Sequence, residues 1–141
     1  MSVGNAIWLL LALPSWYFPS VLIPFEAGPL TAIPAIGVIS LVIGVVVGII
    51  RPKRQLLFFL IPAVLSEALV ALAGVFRGRV ADAASQAILL GFLALQLLLV
   101  SYLIYRVRNA RVAAVALGVF SLSYAFFAMF IASMAFSDVW L

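Results

Sequence analysis

At 141 residues, 68 % of them hydrophobic and 9 % charged, the chain inverts the balance of a water-soluble domain, in which about a quarter of residues are charged and about half apolar. Eight Lys or Arg against four Asp or Glu leave a net charge of +4, and there is neither cysteine nor histidine. Disulfides, thiolate nucleophiles, Cys/His zinc sites, imidazole haem ligation and His-dependent triads are therefore excluded.

All but one of the charged residues fall in short connectors or at segment ends, and the apolar stretches between them run to about twenty residues. At 1.5 Å rise per residue, ~20 residues match a hydrocarbon core roughly 30 Å thick. Because lipid offers backbone groups no hydrogen bonds, a spanning segment must satisfy them within a helix. The expected fold is all-α, a single polytopic transmembrane helix bundle over residues 1–141.

The first element, Asn5 to Phe25, has the length of a span but is interrupted by Pro14, Pro19 and Pro24. An interior proline removes a backbone hydrogen bond and clashes with the preceding turn, at about 3 kcal/mol in water. Trp16, Tyr17 and Phe18 form an aromatic cluster of the kind enriched at the headgroup level. Five spans are favoured, with the Glu26 to Pro29 turn as an outside hairpin; the alternative is four spans preceded by a re-entrant or interfacial segment. No basic n-region marks a cleaved signal peptide.

Four clearer spans follow, at 30–50, 56–76, 85–105 and 112–135, joined by connectors short enough to make them antiparallel neighbours. The connectors at 51–54 and 106–111 together carry six cations and no acid: Arg51, Lys53, Arg54, Arg106, Arg108 and Arg111. The other side holds Arg77 and Arg79 with Glu26, Asp82 and Asp138. Cations near span ends are retained in the cytoplasm. This places loops 51–54 and 106–111 in the cytoplasm and the C-terminus outside, in a bacterial inner membrane. Despite a pI near 10.1, the cations lie beside span ends and form no soluble face that could follow a phosphate backbone, so nucleic acid is not an expected partner. They suit anionic lipid headgroups, each contributing about 1 kcal/mol near the surface.

Helices in lipid associate through small residues that let backbones approach. Ser40, Gly44 and Gly48 recur every four residues in the 30–50 span. In the last span Ala114, Gly118, Ser121, Ala125, Ala128, Ala132 and Ala135 advance by alternating steps of four and three, the spacing of a left-handed helix seam. The 85–105 span repeats that rhythm through Ala87, Gly91, Ala94, Leu98 and Ser101. These stripes suit an intramolecular bundle and a homodimer alike.

The exception among the charges is Glu67. Counting inward from the span ends places it at the bilayer centre, level with Gln96, Ser66 and Tyr124, and close in depth to Ser40, Ser121 and Ser123. Ala63, Ala71 and Gly74 share its helical face, which argues for a position facing protein. An acid at that depth costs roughly 3 kcal/mol on insertion scales, and it escapes through protonation, a hydrogen-bonding partner or an aqueous cavity.

Glu67, Gln96, Ser66 and Tyr124 are thus the candidate proton, cation or interhelical polar site, and Ser40, Gly44, Gly48, Gly118, Ser121 and Ala125 the candidate packing residues. No acidic neighbour at that depth supplies a catalytic carboxylate pair, and no cofactor is expected. Two functions remain open. The first is a non-enzymatic membrane protein acting as a homo-oligomer or as an accessory subunit of a larger complex. The second is a small proton- or cation-coupled transporter centred on Glu67, carrying an unidentified ion or small molecule.

Overall fold

A computed structural model of the chain describes residues 7, 11, 13–18, 29–50 and 54–138, at 29–31 in backbone only. Among the described residues all regular structure is helical. Four helices among the described residues are long and apolar enough to cross a membrane. Helix α1 covers Pro29–Ile50; a 3-10 segment Arg54–Phe59 runs into α2, Leu60–Val75; α3 covers Asp82–Arg106; and a short 3-10 turn, Arg108–Ala110, leads into α4, Arg111–Phe136. The expected fifth span lies largely outside the described residues. Within it the chain is helical at 13–17, where the Phe18 amide donates to the Pro14 carbonyl at 3.2 Å.

Two boundaries differ from the sequence expectation. The 56–76 segment begins as a 3-10 helix and becomes α-helical only at Leu60. Pro62 is tolerated there because it lies in the first α-helical turn, where a missing N–H costs no i→i−4 bond within the α-helix. Helix α3 starts three residues early, at Asp82, where a carboxylate in the first turn meets the positive end of the helix dipole.

Helix α4 is the hub. It packs along each of α1, α2 and α3, whereas α1 and α2 make almost no direct contact and α2 touches α3 only lightly. Its stripe residues Ala114, Gly118, Ser121, Ala125, Ala128, Ala132 and Ala135 are all buried. The backbones approach closely there: a Cβ added at Gly118 would lie 2.9 Å from Ile104 Cδ1 and 3.0 Å from Val100 Cγ1. Where helices this apolar pack in lipid, which is as apolar as a leucine side chain, contacts of this kind stabilise by dispersion and shape rather than by removal from water.

The buried side chains divide along the bundle. One cluster, around Phe59, Leu103, Val107, Ala113 and Ala114, lies at the end carrying Arg54, Arg106, Arg108 and Arg111. The other gathers Leu69, Val70 and Ala73 of α2 with Ile131, Ala132 and Phe136 of α4, and takes in Leu13 and Tyr17 from the N-terminal segment. Apolar side chains dominate the outside; Ile49 and Leu98, for example, are 74 % and 72 % exposed. Water would leave that surface uncovered, while hydrocarbon solvates it.

Candidate functional site

At mid-height the bundle carries a belt of hydrogen bonds that touches every described helix. Gln96 of α3 is fully buried and points toward α2, where its Nε2 donates to the Pro62 carbonyl at 2.9 Å and, at 3.4 Å, to Ser66 Oγ. Ser66 turns its own hydroxyl back to the same Pro62 carbonyl at 2.9 Å. This i−4 bond satisfies the hydroxyl without a second helix. One residue further along α2, Glu67 accepts a hydrogen bond at Oε1 from Tyr124 Oη of α4. The structure thus brings the four candidate polar residues together as two cross-helix links, Gln96 to Ser66 and Tyr124 to Glu67.

Beside them is a link absent from the expected site. Ser123 Oγ of α4 donates to the Ile33 carbonyl of α1 at 2.8 Å and lies 2.7 Å from Tyr17 Oη. A serine hydroxyl has one proton, so with that proton on Ile33 the Tyr17 hydroxyl is the donor to Ser123. Tyr17, one of the three clustered aromatics, is not displayed on the outside of the bundle. It is fully buried, with its ring edge-on to Tyr124 at 5.0 Å and to Phe127 at 5.5 Å. Gly37 makes room for it, since a Cβ there would sit 1.8 Å from Tyr17 Oη and 2.4 Å from Ser123 Oγ. The available sequence signals were Leu13 and Tyr17 one helical turn apart, and Gly37 of α1, which extends the face of the Ser40, Gly44, Gly48 stripe toward the N-terminus.

Two acceptors in the belt are left over. Glu67 Oε2 and Gln96 Oε1 are buried and have no hydrogen-bond partner among the described residues. Glu67 lines neither the groove between α1 and α2 nor the surface pocket near Tyr105 and Arg108. Among the described residues no group of three His, Cys, Asp or Glu gathers to hold a metal.

The packing residues are placed unevenly. Gly44, Gly118, Ser121 and Ala125 are buried, while Ser40 and Gly48 are half-buried. Ser121, like Ser66, bonds its own helix, donating to the Leu117 carbonyl at 2.8 Å. In α3 the stripe Ala87, Gly91, Ala94, Leu98 and Ser101 is exposed throughout, and nothing lies within 4 Å of a Cβ built at Gly91.

The charges at the bundle ends serve local roles. Arg77 Nε donates to Asp138 Oδ1 at 2.6 Å, tying the α2 end to the α4 end, although both side chains are well exposed. Arg108 donates to Tyr105 Oη at 2.8 Å and stacks over its ring, and Arg106 stands over Phe58 at 5.5 Å. Contacts of this kind suit cations at the ends of apolar helices, where the stem packs on apolar surface and the charged head stays outside it.

Fold and belt together define an apolar helical bundle cross-linked by neutral and carboxyl hydrogen bonds. The chain matches no protein family, and neither a curated protein nor a solved structure is similar to it. Its function is therefore argued from its own geometry.

Proposed function

We propose that this chain is a non-enzymatic protein of a bacterial inner membrane that works by lateral association, as a homo-oligomer or as an accessory subunit of a larger membrane complex. In this reading loops 51–54 and 106–111 lie in the cytoplasm and the C-terminus outside. The observation that carries it is the outward face of α3, where Ala87, Gly91, Ala94 and Ser101 form a small-residue stripe with no partner helix among the described residues of the chain. Small residues lower the steric barrier to close helix approach in lipid, where packing and interhelical hydrogen bonds are the main attractions. The belt residues then play a supporting part, with Gln96 and Glu67 holding α3 and α2 in place so that this face stays rigid. Purification of the native protein in mild detergent tests the reading. An oligomer or a larger complex is expected, and Gly91→Leu should reduce it without unfolding the monomer. Recovery solely as an isolated monomer at native expression would overturn it.

A second reading is favoured by one observation, the unpartnered Oε2 of Glu67. A carboxyl oxygen free within a membrane interior can exchange a proton or receive a cation, which makes Glu67 the centre of a proton- or cation-coupled transporter. Glu67→Gln keeps size and hydrogen bonding while removing the titratable proton. It should abolish pH-dependent flux in proteoliposomes, and unchanged flux would eliminate transport through Glu67.

A further inference from the structure

The cleft between α1 and α2 is treated differently in its two halves. In one half the chain fills it: Leu13 and Tyr17 are fully buried in a cluster with Val38 of α1 and Leu69, Val70 and Ala73 of α2, and Tyr17 packs edge-on to Phe120. In the other half α1 and α2 stand apart, leaving a groove of about 700 Å³. Leu41, Ala63 and Phe120 lie at its mid-height end, Val45 and Gly48 along its length, and Arg54 at its mouth.

We propose that this groove binds one acyl chain of an anionic phospholipid, with the headgroup paired to Arg54. Three observations carry the assignment. Among the described residues the wall is hydrocarbon apart from one exposed cation at the end, which matches an apolar chain with a negative head. The helix from Leu41 to Ile49 rises about 12 Å, close to the half-thickness of a hydrocarbon core roughly 30 Å across. The groove therefore has the length of one leaflet, whereas a partner helix crossing the membrane would need a full-length face. Finally, the N-terminal segment occupies the other half of the same cleft, so the lipid chain would complete packing that the protein completes for itself elsewhere. The site depends on membrane insertion but not on any partner for α3.

Native mass spectrometry of the full-length protein, purified in mild detergent and exchanged into equal amounts of phosphatidylglycerol and phosphatidylcholine with the same acyl chains, tests it. The wild type should retain one phospholipid, with phosphatidylglycerol preferred about fivefold, the factor expected for one cation near a membrane surface. Arg54→Gln should abolish that preference while leaving a chain bound. Val45→Trp and Leu60→Trp, at exposed positions lining the groove, should lower retention of both lipids, and Leu90→Trp on the outside of α3 should not. Equal retention by all four variants would overturn the site. So would a dimer that Val45→Trp dissociates, because the occupant would then be a second copy of the chain. Circular dichroism of each variant confirms that lost retention is not lost folding.

Discussion

In α4 the residues spaced by alternating steps of four and three are all buried, whereas in α3 the residues with the same rhythm are all exposed. The pattern is shared, so the difference must come from the opposite faces. Behind the α3 stripe stand Gln96, Val100 and Leu103, and these are the buried residues of that helix. A glutamine amide turned to lipid would lose its hydrogen bonds, at a cost of roughly 2–7 kcal/mol depending on the reference state. Turning it inward toward Pro62 and Ser66 avoids that cost and leaves the small face outside. In α4 no such conflict arises: Tyr124 and Ser123 lie beside the small stripe and are buried with it. A small-residue stripe thus records a capacity for close approach, and the polar residue on the helix decides whether the approach is made within the chain.

The sharpest way to break this comparison is to enlarge one glycine in each stripe. Gly118→Leu places a side chain against Val100 and Ile104, and overpacking of this kind costs about 1–3 kcal/mol. Gly91→Leu meets open space and should leave monomer stability within about 0.5 kcal/mol. SDS-induced unfolding of the purified protein reads both, and equal destabilisation would show that α3 is packed on both faces.

Next in size is Tyr124→Phe, which leaves Glu67 Oε1 without its donor beside an already unpartnered Oε2. Removing one partner of a buried pair costs roughly 1–3 kcal/mol. The paired variant Tyr124→Phe with Glu67→Leu should recover most of the loss, and a failure to recover would mean that Glu67 is solvated by something other than Tyr124.

Gln96→Leu removes the amide that fixes the orientation of α3. The average interhelical hydrogen bond in a membrane contributes about 0.6 kcal/mol, so the stability change should be small. The larger readout is rotational: cysteine accessibility at Gly91→Cys, labelled with a lipid-soluble maleimide, should fall as α3 loses its preferred face. Unchanged labelling would show that apolar packing alone orients the helix.

Smallest of all is Arg77→Ala at the exposed Arg77–Asp138 pair, for which surface ion pairs suggest about 0–1 kcal/mol, declining with salt. A greater loss would mean that the α2 and α4 ends are tied by charge more than by their apolar packing.

The belt was legible in part. Depth counting brought Glu67, Gln96, Ser66 and Tyr124 to one level, because antiparallel helices of similar length share a midpoint. It could not say that Ser66 and Ser121 bond their own helices, since a serine satisfied at i−4 looks identical in sequence to one that bonds a neighbour. Tyr17 was missed for a different reason: aromatic clusters favour headgroups on average, and only the absence of a side chain at Gly37 opens an interior site for the phenol.

The sequence by itself determined the helical class, the four apolar segments and the cations at their ends, because these follow from hydropathy, length and backbone bonding, which are local quantities. Tertiary structure decided that α4 is the hub, that α1 and α2 make almost no direct contact, and that the α3 stripe faces out. Those outcomes depend on which side chains compete for the same interior volume and hydrogen bonds, and that competition is settled only when all the helices are present together.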